Sequence, residues 1–137
     1  MTLNGVNDES VKLVVVGAHL RGMPLNGELQ GLGASFVRAC RTAPSYRLFE
    51  LPGETPSKPG LIRVDAGTGA AIEVELWLLD YAAFGRFVAN IPSPLGIGTI
   101  QLDDGSSEKG FLVEPVALEN ARDISEFGGW RAFKRPL

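Results

Sequence analysis

A single cysteine and a single histidine stand in a chain of 137 residues. One cysteine excludes an internal disulfide and suits a reducing, cytoplasmic setting. The pair is also too small for the usual structural zinc spacings, and no calcium-loop or His-Glu-His pattern supplies another metal site. No metal or cofactor is therefore expected. Apolar runs never approach the roughly 20 residues that a spanning helix needs, so no membrane partner is expected. Positive charge is not in excess either: 13 basic residues are interspersed with 16 acidic ones, for a formal net charge of −3. Sequence-independent nucleic-acid binding needs a concentrated basic surface, and none is present. The opening MTLNGVNDES is polar and has no signal-peptide core. Residues 1–11 are accordingly read as a disordered or linker-like end, and 12–137 as one domain.

What is present is a soluble globular composition, 45% apolar and 21% charged, punctuated by 17 glycines and nine prolines. Lys12 to Val16 is a nearly continuous β-branched run, as expected of a strand buried on both faces. A glycine-rich turn, Gly17 to Asn26, follows it. Leu25, Leu29, Leu32, Phe36 and Cys40 fall at spacings of three and four, which predicts a helix ending at Thr42-Ala43-Pro44, with Gly31 and Gly33 weakening its early part. Short strands are predicted over Ser45–Leu51 and Gly60–Asp65, separated by the loop GETPSKPG. AIEVELWLL, Ala71 to Leu79, is the clearest strand, with Ile72, Val74, Leu76 and Leu78 on one face and Glu73, Glu75, Trp77 and Leu79 on the other. Asp80 is a good N-cap for the helix YAAFGRFVANI, which Pro92 and Pro94 end. GTIQL and KGFLVEP flank a hairpin turn at Asp104-Gly105. VALENA gives one helical turn, and the double glycine in DISEFGGWRAF argues against a simple helix there. The order β-α-β-β-β-α-β-β favours an α+β domain with a curved antiparallel or mixed sheet.

His19 is the first candidate for chemistry. A lone histidine is more often a structural residue. This one sits where a buried strand empties into a glycine-rich turn, and such turns leave backbone N–H groups free for an anion. Imidazole also titrates near neutral pH, which suits proton transfer. Gly17, Ala18 and Leu20 of the same turn are candidate substrate contacts. Glu73 and Glu75 share a strand face with Trp77; if that face is buried, the carboxylates must be paired or protonated. Among the cations, Arg47 beside Tyr46, Lys58 in its proline-stiffened loop and Lys109 at a strand start are best placed to hold an anion. Cys40 reads as core and not as a nucleophile.

The segments VVGAHLRGMPLN, RTAPSYRLFELPG, KPGLIRV, AIEVELW, FGRFVANIPSPLGIGTIQLDDG, KGFLVEP and ARDISEFGGWRAF, in this order over about residues 12–133, resemble the C-terminal domain of allophanate hydrolases. The resemblance implies a gamma-glutamylcyclotransferase-like fold, a small twisted mixed β-barrel with two to three helices. VGAHL would take the place of that superfamily's Y-G-S-N-L substrate loop. The D-E-x-E-G stretch that carries the cyclotransferase glutamate is replaced here by FVANIPSPLG, which has no acid. A cyclotransferase-like activity would need Glu73 or Glu75 to supply one. The Ser-Ser-Lys amidase domain that precedes this one in allophanate hydrolases is not in the sequence, so amide hydrolysis by this chain alone is not expected. The resemblance instead implies a role in urea and allophanate breakdown after the amidase step, where N-carboxycarbamate loses CO2. His19 would be the proton donor. Glu75 would orient it or bind the substrate nitrogen, and Arg47, Lys58 and Lys109 would clamp carboxylates. A small anionic substrate and an amidase domain or subunit are the implied partners, with a homodimer left open. The rival reading is a non-catalytic dimerisation or scaffold module of an amidase.

Overall fold

The computed structural model describes residues 9–53, 55 and 57–135. Of the stretch expected to be linker-like, residues 1–8 lie outside the described residues. Ser10 and Val11 already open the first strand, β1 (Ser10–Val15), so the folded unit begins ahead of Lys12. The chain continues through α1 (Asn26–Gly31), β2 (Ser35–Arg41), β3 (Tyr46–Leu51), β4 (Lys58–Arg63) and β5 (Glu73–Asp80). It ends with α2 (Tyr81–Ala89), β6 (Leu95–Gln101), β7 (Ser107–Val113), β8 (Arg122–Asp123) and α3 (Trp130–Lys134).

The architecture is α+β, as expected, with three helices and a mixed β-structure. Five strands form one sheet in the order β2-β5-β1-β7-β6, and three form a second in the order β4-β3-β8. The two sheets do not join into a single closed barrel. β1 lies at the centre, antiparallel to β5 and parallel to β7. That position explains its sequence: Leu13, Val14 and Val15 are fully buried, as a strand covered on both faces requires. Tyr46 and Leu48 of β3 and Leu61 of β4 close the core from the smaller sheet. Pro59 is tolerated because β4 is an edge strand. Among the described residues, no helix is long and apolar enough to cross a membrane.

One prediction fails here. The helix expected from Leu25 to Cys40 is two elements, a six-residue helix and a strand. Gly33 takes φ of 79°, a left-handed conformation that stops the helix, and Phe36 and Cys40 then lie on β2. A bulge between Phe36 and Arg38 puts them on opposite faces of that strand, Phe36 across from Trp77 and Cys40 across from Val74. Cys40 still packs against the core from a half-buried position. Burial raises its thiol pKa despite nearby Arg38, which leaves the nucleophilic thiolate disfavoured. DISEFGGWRAF is, as expected, not a simple helix: Gly128, at φ of 80°, ends a 3-10 turn and α3 begins after Gly129.

The second helix is where the sequence places it. Asp80 Oδ1 accepts a hydrogen bond from the Ala83 amide at 2.7 Å, and Ala83 and Phe87 bury its inner face. Removing that cap by Asp80→Ala is expected to cost about 1 kcal/mol, lowering the melting temperature by about 3–5 °C in a thermal unfolding scan.

Candidate active site

The turn after β1 is held from three sides. Leu20 N–H donates to Gly17 O at 3.0 Å and Leu25 N–H to Ala18 O at 2.8 Å. The buried Asn26 donates from Nδ2 to His19 O at 2.8 Å, fastening the turn to the start of α1. Gly17 is needed for contact with the second sheet: a Cβ there would meet Pro59 Cγ at 2.2 Å. That approach brings Lys58, at the start of β4, up to His19. The amides of Ala18 and His19 find no protein acceptor among the described residues.

His19 is held between rings. Phe87 meets it edge-on at 5.1 Å between centroids, and Phe111 stacks on it at 5.4 Å. Its Nε2 lies 2.9 Å from Glu28 Oε1 on α1, and its side chain stays 14% exposed. Burial lowers the imidazole pKa below its ordinary 6.5; the hydrogen bond and charge of Glu28 oppose the shift, and Lys58 adds to it. At neutral pH the ring is therefore uncharged. A carboxylate only accepts, so the proton sits on Nε2 and Nδ1 is the unprotonated nitrogen.

The ring opens into a cleft of about 630 Å3. Gly17, Ala18, Lys58 and Pro59 line its base together with His19, and Glu28 and Leu32 form one wall. Arg86, Phe87, Asn90 and Ile91 form the other. Two cations, one carboxylate and one imidazole thus face a space with largely apolar sides. Neither tryptophan plugs it. Trp77 packs edge-on against Phe36, and Trp130 is buried against Phe133.

The structure gathers Gly17, Ala18, His19 and Lys58 of the predicted site and places the other candidates elsewhere. Glu75 is the main correction, because the carboxylate on the imidazole is Glu28. Glu75 is fully buried and accepts from Arg21 N–H at 2.9 Å, Arg21 Nε at 3.2 Å, Trp77 Nε1 at 3.1 Å and Arg131 Nη2 at 2.8 Å. Burial alone would raise its pKa, but these donors outweigh it and hold the carboxyl below 4.5. Arg131 also donates to Arg21 O. Glu75, with Trp77 as a donor to it, thereby ties the His19 turn to α3. Glu73 lies near Arg131 beside a separate, smaller hollow. Arg47 is committed to Asp123 and to Thr68 O. Lys109 donates to Thr99 Oγ1 on the β6–β7 hairpin. Tyr46 is fully buried, its hydroxyl accepting from Gln101 N–H, and Leu20 is core. None of these seven, Trp77 included, lines the cleft. Glu28, Arg86 and Asn90 were not anticipated. Only the helical spacing of Phe87 toward the core hinted that α2 would face the turn.

Comparison with known proteins agrees with this architecture. Residues 11–135 match the family model described as the allophanate hydrolase C-terminal domain. The chain is 40% identical over 127 residues to a urea amidolyase of Saccharomyces cerevisiae, covering 90% of this chain and 7% of that protein. It superposes on an allophanate hydrolase of Kluyveromyces lactis with a TM-score of 0.88 at 40% identity, covering 97% of this chain and 22% of the other. A uropathogenic E. coli-specific protein gives a TM-score of 0.83 at 40% identity, covering 90% of this chain and 94% of its own. More distant solved structures, at 20% identity or below, share only the gamma-glutamylcyclotransferase-like fold. The chain thus spans about 7% of the length of the curated relatives it matches. By fold and by sequence it belongs to the allophanate hydrolase C-terminal domain family.

Proposed function

We propose that this chain acts in allophanate breakdown by speeding the loss of CO2 from N-carboxycarbamate, the dianion that an amidase leaves behind. The observation that carries the proposal is the His19–Glu28 pair beside Lys58 in an open cleft. The reaction breaks one C–N bond, whose electron pair stays on nitrogen. One carboxylate departs as CO2, and the nitrogen takes a proton to give carbamate. Expelling that nitrogen without a proton would leave a strongly basic anion, so a donor beside it lowers the barrier.

In the resting site the imidazole is neutral. An arriving dianion offsets the charge of Lys58 and favours protonation of His19 at Nδ1, while Glu28 stabilises the resulting imidazolium through Nε2. The Nδ1 proton then passes to the substrate nitrogen as the bond breaks, and solvent restores it. Lys58 and the Ala18 and His19 amides fix the carboxylates, and Arg86 at the rim draws the anion in. The length of the relatives supports an amidase domain or subunit as the source of substrate. The cyclotransferase alternative called for Glu73 or Glu75, and both lie outside the cleft.

The test generates the dianion in place, with an amidase acting on 13C-labelled allophanate, and follows its decay by NMR. The decay rate is expected to rise in proportion to added chain. Decay that is unchanged at micromolar chain would overturn the proposal and favour a scaffold role.

A further inference from the structure

The substrate proposed above has seven non-hydrogen atoms, and a cleft of about 630 Å3 has room for some twenty waters at ~30 Å3 each. The catalytic groups occupy only its base. The same cleft is also lined by the aliphatic Leu25, Leu32, Ile91 and Leu95. Leu32 stands four residues after Glu28, at the end of α1, with its amide on Leu29 O at 3.1 Å. Ile91 stands four residues after Phe87, its amide still reaching Val88 O at 3.1 Å. Leu32 thus follows the end of α1 and Ile91 the end of α2, and both line the cleft. Pro92 and Leu95 extend the far wall. Leu32, Ile91 and Leu95 remain only half-buried. A small dianion leaves that arm in water.

We infer that the cleft also binds carboxylates carrying an aliphatic tail, with the carboxylate at Lys58 and His19 and the tail between Leu32 and Ile91. At ~1.5 Å per bond, a tail of four to five bonds reaches about 6 Å or more beyond its carboxylate. A medium-chain alkanoate fits this description, and it would compete with the dianion for the base of the cleft. The inference rests on the reading that this base takes a carboxylate.

The experiment titrates the chain with malonate, acetate, butyrate and hexanoate and reads binding from the His19 ring signals by NMR. Malonate replaces the NH of the dianion with CH2 and occupies only the base. Hexanoate is expected to bind at least about tenfold more tightly than acetate, with butyrate between them. In Leu32→Asn and Ile91→Asn variants, hexanoate is expected to fall to the acetate level while malonate affinity holds. Equal affinity for acetate and hexanoate, with malonate still bound, overturns the aliphatic arm and leaves the base intact. Binding by none of the four overturns both readings.

Discussion

A His19→Asn chain is expected to lose about a hundredfold or more of its acceleration of N-carboxycarbamate decay, the range measured when a positioned proton donor is removed. Asparagine is chosen because it keeps a polar N–H that can still reach Glu28. What it cannot do is titrate. The fold should survive, since the imidazole is a partly exposed residue at the cleft and lies outside the central core. Loss of the ring contacts with Phe87 and Phe111 is expected to cost about 1 kcal/mol, a few degrees in melting temperature. Parallel decay assays and thermal scans check both values. Wild-type decay rates in a folded variant would remove His19 from the mechanism.

The largest loss of stability is expected at Glu75. Glu75→Gln removes the charge that two guanidinium groups share and turns an amide toward donors that want an acceptor. Breaking a buried pair on one side costs about 3 kcal/mol, a large fraction of the 5–15 kcal/mol that keeps a domain folded. Arg21 and Arg131 keep some access to water, which holds the cost at the lower end of the range. Urea unfolding of the two proteins measures it. Because the folded carboxyl titrates below 4.5, its contribution is complete above that value and disappears as pH falls through the folded pKa. The gap between variant and wild type should therefore be widest at neutral pH and shrink as pH falls below 4.5. A loss under about 1 kcal/mol at pH 7 would show that the Arg21–Glu75–Arg131 link does not anchor the turn.

Some of this was legible in the chain and some was not, for identifiable reasons. The β-branched run before Gly17 announced the central strand, and Asp80 announced the second helix, because a local pattern decides each. The stretch 25–40 misled because its apolar residues keep helical spacing straight across Gly33, whose left-handed backbone ends α1 and lets β2 begin. In the site, His19 and Lys58 stood out by position, one at a strand exit and one in a stiff loop. Glu28 did not, since its approach to His19 depends on Asn26 binding the His19 carbonyl. Alternation along β5 put Glu75 with Trp77 correctly. Its decisive partners, Arg21 and Arg131, lie 54 and 56 residues away, beyond any spacing rule.

The account depends on an imidazole kept neutral by burial until an anion arrives beside it. His19 is the only histidine in the chain, so its ring signals in a 1H–13C spectrum can be followed across pH without assignment. Without ligand the midpoint should fall below 6.5, and with saturating malonate it should move upward. A midpoint at or above 6.5 in the free protein, unmoved by malonate, would contradict the proposed cradle.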